Sequence, residues 1–235
     1  MPRLMIDAHV HLHPGVDPWD VLTRAHGRMA VGATSVFMLA EQQGHAMFDA
    51  LKGRARGTAE PESLWLSDDI LLLAGRQVVS AEKLEILALA TDAQFADGTP
   101  AQQLVEGMIW ADALIVLPWG VGKWLGARGK LVDRLLGEDG EGRLLLGDNG
   151  GRPSFWPEPR FRMRTLLRGS DPLPLRGDAR RIGSFGTMME GAVSRDRPGR
   201  DLRALIRSAG GKAQHYGALA SPAKFLGNQL RLRMA

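Results

Sequence analysis

Cysteine is absent from the chain, which excludes disulfides and thiolate metal sites. Any metal must rest on histidine, carboxylate, backbone or water. Aromatic residues make up 6%, with a single tyrosine, and they do not interleave with the arginines as a base-stacking surface requires. No apolar run reaches membrane-spanning length. The first apolar run begins at Leu4, which leaves no room for a leader, so the sequence is read as cytoplasmic. Histidine is scarce as well. Three of the six stand at positions 9, 11 and 13.

What remains is the composition of an ordinary globular protein, 44% hydrophobic and 24% charged. Its 235 residues suffice for one barrel-sized domain. The net charge of +4 conceals a split. Residues 1–159 hold 14 Lys and Arg against 21 Asp and Glu, and residues 160–235 hold 16 against 5. A basic C-terminal third either faces an anionic partner or pairs with the acidic remainder.

Strand and helix patterns alternate. The run Leu4 to Ile6 reads as a strand, and Pro18 to Val31 as a helix with Asp17 as N-cap and Gly32 closing it. Thr34 to Leu39 is apolar and β-branched enough for a buried strand, followed by helical periodicity from Gly44 to Lys52. Residues 53–63 form a polar surface loop. Apolar runs follow at Ile70–Ala74, Leu84–Leu89, Ala113–Leu117 and Arg143–Leu146, with helices at Pro100–Trp110, Lys130–Leu136, Asp201–Ser208 and Pro222–Arg233. In the last of these Phe225, Leu226, Gln229, Leu230 and Met234 make a stripe expected to dock on the core, with Arg231 and Arg233 between. Such alternation implies an α/β fold with a parallel sheet, closed or doubly wound.

Asp7-Ala8-His9-Val10-His11 speaks of chemistry. Alternation along a strand points Asp7, His9 and His11 to one face, where two imidazoles converge on one ion. Ligand-capable residues recur at later strand ends: Glu41, Glu85, Lys123, Asp148 and Asp171. In barrel enzymes such positions carry function.

His9-x-His11, together with Gly169-Ser170-Asp171, resembles the opening and closing motifs of the polymerase and histidinol phosphatase (PHP) family of metal-dependent phosphoesterases, over about residues 4–175. The resemblance implies a distorted (β/α)7 TIM-like barrel, and the chain is read as one domain of residues 1–235 with residues 190–235 as a basic C-terminal helical extension packed on it. The resemblance further implies one to three divalent ions, manganese, zinc or iron, and hydrolysis of a small anionic substrate by metal-activated water. By position His9, His11, Glu41, Glu85, Asp148 and Asp171 would be the ligands. Asp7 would serve catalysis by orienting a histidine, and Lys123, Arg152 and Trp119 would bind substrate. Nucleic acid is not expected as the partner. The chain departs from the family at Pro172, where a histidine is usual, and at Pro118-Trp119, where a histidine-proline is usual. Carboxylates then replace imidazoles and favour harder ions.

Two other classes stay open. The same opening motif begins the amidohydrolases, with Lys123 and Asp171 able to fill the lysine and aspartate roles. A barrel whose reduced site binds a ligand without catalysis is the other. Gly120-Val121-Gly122-Lys123 lacks the full spacing of a phosphate loop, so it is read either as a site wall or as a rigid aromatic corner. Gly147 to Pro153 is read as an anion nest beside Arg152 or as a plain tight turn.

Overall fold

A computed structural model describes residues 2–13, 15, 17–29, 31–175, 177–210 and 213–234, with residues 232–234 as backbone only. Strand β1 (Arg3–Val10) leads through α1 (Pro18–His26) to β2 (Thr34–Leu39) and the short α2 (Met47–Lys52). Five strands then follow without an intervening α-helix: β3 (Arg56–Gly57), β4 (Ser63–Ser67), β5 (Ile70–Leu73), β6 (Gly75–Val79) and β7 (Glu85–Leu89). Alternation returns with α3 (Ala101–Trp110), β8 (Leu114–Pro118), α4 (Gly126–Glu138), β9 (Leu144–Asn149) and β10 (Leu166–Gly169). Strand β11 (Gly186–Glu190), α5 (Pro198–Ser208), β12 (Gln214–Tyr216) and α6 (Pro222–Met234) complete the order.

Asp17 caps α1 by accepting from the Trp19 N–H, with Pro18 in the first turn. The helix ends at His26 instead of running to Val31, because Gly27 is a poor helix former and its N–H turns back onto Thr23 and Ala25. Ala30, inside the expected helix, lies outside the described residues.

The strands form a mixed α/β architecture of two sheets. One runs β12-β11-β1-β2-β5-β4-β3 and the other β10-β9-β8-β7-β6. The ladders do not close into the expected TIM-like barrel. From β3 to β8 the neighbouring strands pair antiparallel, through β3–β4, β4–β5, β6–β7 and β7–β8. Antiparallel neighbours therefore replace the parallel pairs that a continuous parallel barrel needs, even where α3 connects β7 to β8. The sheets meet at two seams. One is an isolated parallel bridge between Glu41 and Arg76, and the other a hydrogen bond from the Asp171 N–H to the His9 carbonyl at 2.9 Å.

Between the sheets Leu4, Ile6, Ala8, Val36 and Met38 pack with Leu87, Leu89, Leu114, Val116, Leu145 and Leu167. Outside the smaller sheet, Ile115, Leu117, Leu144 and Leu146 pack with Leu104 and Met108 of α3 and Val132 and Leu135 of α4. Outside the larger one, Met5, Val10, Phe37, Leu39 and Leu72 pack with Leu22, Ala25, Phe48 and Leu51. The two faces of each strand are thus assigned by what they touch.

On β1 the assignment changes partway. Asp7 pairs with Phe37 and Val10 with Leu39, so three steps on β1 oppose two on β2. This is a β-bulge, and the extra residue reverses the alternation. Met5 lies on the outer face and Ile6 and Ala8 on the inner one, yet Val10 is outer again. Asp7 therefore does not share a face with His9 and His11, contrary to the regular-strand reading.

Residues 190–235 contribute a strand as well as helices, since β12 extends the larger sheet beside β11. Leu202 and Ile206 of α5 enter the core between the sheets. On α6 Phe225 is buried and its ring meets Phe155 edge-on. Leu226 and Leu230, expected in the docking stripe, are 65% and 59% exposed. Arg233 and Met234 lie outside the described side chains.

Much of the charge split is met inside the fold. Arg203 of α5 reaches Glu62 at 2.7 Å and Asp112 at 3.0 Å, Arg207 reaches Asp112 at 2.6 Å, Arg160 reaches Asp133 at 2.6 Å, and Arg164 reaches Asp139 at 3.4 Å. Basic C-terminal residues thus pair with acids of the first 159.

Gly169 is where β10 lies closest to the bulge. A Cβ there would run into the backbone and Cβ of His9. Gly169→Ala is expected to cost about 1–3 kcal/mol by overpacking, measured by denaturant unfolding. Gly53→Ala, which meets nothing within 4 Å, should stay within about 0.5 kcal/mol of the parent.

Candidate metal centre

The bulge turns His9 and His11 inward, toward the end of β10. Their Nε2 atoms lie 3.0 Å apart, and each is 3.6 Å from Asp171 Oδ1. One ligand atom from each of the three residues falls within 4.8 Å of the others, and among the described residues this is the group of histidines and carboxylates able to hold a metal ion. Asp171 adopts a left-handed conformation with φ 46°, which aspartate tolerates better than most residues. That turn, with the backbone bond to His9, brings its carboxylate over the imidazoles.

The electrostatics suit a cation. Burial first, and then the neighbouring His9, push His11 down to about 3, so it is neutral near pH 7, the form that ligates metals. His11 also hydrogen-bonds to the backbone of Ala40, the kind of outer contact that orients a ligating ring. Burial would raise Asp171, but His9, His11, Lys123 and Arg181 outweigh it, and its pKa is lowered. Two imidazole nitrogens and one ionised carboxylate form a donor set suited to zinc, manganese or iron.

Two neighbours of this group had no counterpart in the sequence reading. Asn149 donates from Nδ2 to Asp171 Oδ2 at 3.0 Å and to the Trp119 carbonyl at 2.9 Å, which leaves Oδ1 aimed at the histidines. Gln77 places Oε1 3.2 Å from His9 Nε2. The signal for Asn149 was available in strand alternation. Leu144 and Leu146 pack on the helices, so Asp148 follows them outward and Asn149 points in. Gln77 carried no signal, because β6 lacks the apolar pattern of a strand. His13 lies beside His11 with ring centroids 6.0 Å apart and its Nε2 3.2 Å from the Pro172 carbonyl.

Of the other expected residues, Lys123 and Trp119 line a cavity beside this group, and the carboxylates make other contacts. Asp148 is bound bidentately by Arg152, at 2.7 and 2.9 Å, with Arg168 at 3.4 Å. That pairing buries Arg152 as well. Glu41 accepts from the Met47 and Phe48 N–H groups at 2.5 and 3.0 Å, and burial raises its pKa. Glu85 is ion-paired with Lys123. Trp119 is 3% exposed and packs edge-on against Trp156. Asp7 contacts backbone: Oδ1 accepts from Ser170 N–H at 2.7 Å and His9 N–H at 3.4 Å, and Oδ2 accepts from Gly183 N–H at 2.7 Å. It ties β1 to the segments on either side of Asp171. A cavity of about 220 Å³ opens beside the group, lined by Asp171, Asn149, Lys123, Arg181, Leu173 and Phe225 among others.

No family model and no curated protein matches the sequence. Solved structures share its fold. PsfC from Pseudomonas syringae PB-5123 matches with a TM-score of 0.61 at 14% identity over 100% of both chains. The lesion-specific endonuclease PfuEndoQ from Pyrococcus furiosus matches with a TM-score of 0.59 at 13% identity, over 91% of this chain and 57% of that one. Endonuclease Q in complex with a 27-mer duplex substrate carrying an abasic lesion at the active site gives 0.55 at 14% identity, over 89% of this chain and 57% of that one. The chain thus spans little more than half of the endonuclease chains.

The last of these overturns the expectation of a small anionic substrate with nucleic acid set aside. A protein of this fold holds duplex DNA at its active site. Scattered arginines without interleaved aromatics do not argue against a duplex, because most contacts to it go to phosphates. Among the described residues no helix is long and apolar enough to cross a membrane.

Two outcomes follow from this geometry. Asp171→Ala and His11→Ala should each weaken divalent-ion binding by at least about 100-fold in titration calorimetry, and Asp171→Ala should lower stability by no more than about 1–2 kcal/mol. The second concerns Asp7, whose pKa burial raises from 3.8 to about 6. The folded state then holds the proton more tightly than the unfolded one, so Asp7's contribution is complete below pH 3.8 and is lost as pH rises through about 6. Asp7→Asn should flatten the fall in stability over that window, read from melting curves between pH 3.5 and about 7.

Proposed function

We propose that the chain is a PHP-like metal-dependent phosphoesterase that acts on a phosphodiester of nucleic acid. The observation that carries the proposal is the convergence of His9, His11 and Asp171, one ligand atom from each within 4.8 Å of the others, where β1 and β10 meet. The fold shared with an endonuclease supports the substrate class, and the two seams between the sheets support the reading of the fold as a barrel left incompletely closed.

A divalent ion in such a site supplies Lewis acidity toward a phosphoryl oxygen and acidifies water. The chain's own residues do the rest. Asn149 holds Asp171 in one orientation, and the buried imidazoles keep water from competing on their side. Arg181, on the wall of the cavity beside Asp171, provides positive charge for the phosphate, and Lys123 on the same wall donates to it while paired with Glu85. Asp7 keeps the backbone at Ser170 and Gly183 in place and does not touch the reacting atoms.

Protein loaded with Mn²⁺ is expected to cleave an end-labelled DNA, offered as intact duplex, duplex with an abasic lesion, and single strand. Cleavage should stop with a chelator and fall by at least about 100-fold in Asp171→Ala. Stoichiometric metal without cleavage of any of the three would overturn the catalytic proposal and favour a metal-binding protein without hydrolase activity.

A further inference from the structure

We infer that Gln77 supplies the fourth ligand atom of this centre and that the centre holds a single ion. The inference rests on the metal-site reading proposed above. Gln77 Oε1 lies 3.2 Å from His9 Nε2, the same nitrogen that faces His11 Nε2 at 3.0 Å and Asp171 Oδ1 at 3.6 Å. The donor atoms of Gln77, His11 and Asp171 therefore all lie within 3.6 Å of His9 Nε2. The approach of Gln77 is built into the seam between the sheets, where its backbone N–H donates to the Glu41 carbonyl at 2.9 Å. The side chain is thereby carried to the end of β1 by the bridge that joins β2 to β6.

A second ion needs more negative charge than this group has. The set contains one carboxylate, and a carboxamide oxygen is a neutral donor. The carboxylates at other strand ends are engaged: Asp148 by Arg152, Glu85 by Lys123, and Glu41 by the Met47 and Phe48 N–H groups. Two divalent ions a few ångströms apart would repel strongly with only one formal negative charge between them. One ion with two nitrogens and two oxygens is the state that this charge supports.

The full chain, stripped with chelator, would be titrated with Mn²⁺ and, separately, with Co²⁺, whose visible spectrum reports its ligands. Wild type should bind one equivalent. Gln77→Leu, which removes the donor and keeps an apolar shape, should bind roughly 10–100-fold more weakly with a changed cobalt spectrum. Gln77→Glu should restore or exceed wild-type affinity, because it puts a charged oxygen in place of the amide. Melting curves of the apo proteins check that each variant is folded. No binding by wild type sinks both the metal-site reading and this inference. One equivalent with equal affinity and an unchanged cobalt spectrum in Gln77→Leu leaves the metal site standing and overturns the role of Gln77. Two equivalents in wild type overturn the single-ion conclusion.

Discussion

One extra residue in β1 governs the rest of the molecule. Without the bulge between Asp7 and Val10, strict alternation would put His9 and His11 on the face that packs against α1 and α2, and no site would form between the sheets. With it, Asp7 keeps to the outer face and the histidines turn inward. The cost of interrupting the ladder is met by neighbours that hold the bulge in place. Asp7 accepts from the backbone on both sides of the opposing segment, Gly169 allows β10 to approach His9 without a side chain between them, and Asp171 closes the seam with a backbone bond.

Acidic residues elsewhere behave according to the charge beside them. Asp148 lies in the interior, and a buried carboxylate without a partner would be strongly destabilising. Arg152 forms a bidentate pair with it. The pair explains why the turn from Gly147 to Pro153 carries both an acid at the strand end and an arginine four residues later. It is a structural unit on the helix-facing side of β9, remote in orientation from the histidines. Glu85 and Lys123 neutralise one another near the cavity. The same logic on a larger scale accounts for much of the charge division along the chain, since arginines of the basic C-terminal third meet acids of the first 159 residues.

Element type was largely legible where local patterns were strong. The apolar runs 34–39 and 113–117, the helix behind Asp17 and the helix before Trp110 lie where residue pattern and capping chemistry put them. The hairpins between residues 56 and 89 were less legible. Short strands such as β3 and β6 exist through pairing with neighbours and show little periodicity of their own. That unseen pairing is what breaks the parallel order and separates the two sheets.

The sequence by itself determined the chemistry on offer: no thiolate, a His-x-His pair at the end of the first strand, and an Asp behind a glycine near the end of a later one. Those are properties of residue type and near-neighbour spacing. Tertiary structure decided which of the offered groups meet. A bulge is a relation between two strands, so the reversal that separates Asp7 from His9 could not be read from one of them. Gln77 of β6 reaches His9 across the seam between the two sheets, and Asn149 of β9 reaches Asp171 from the neighbouring strand of the same sheet. Asp148, one residue from Asn149, points the other way for the same reason, because successive side chains on a strand face opposite layers of the fold.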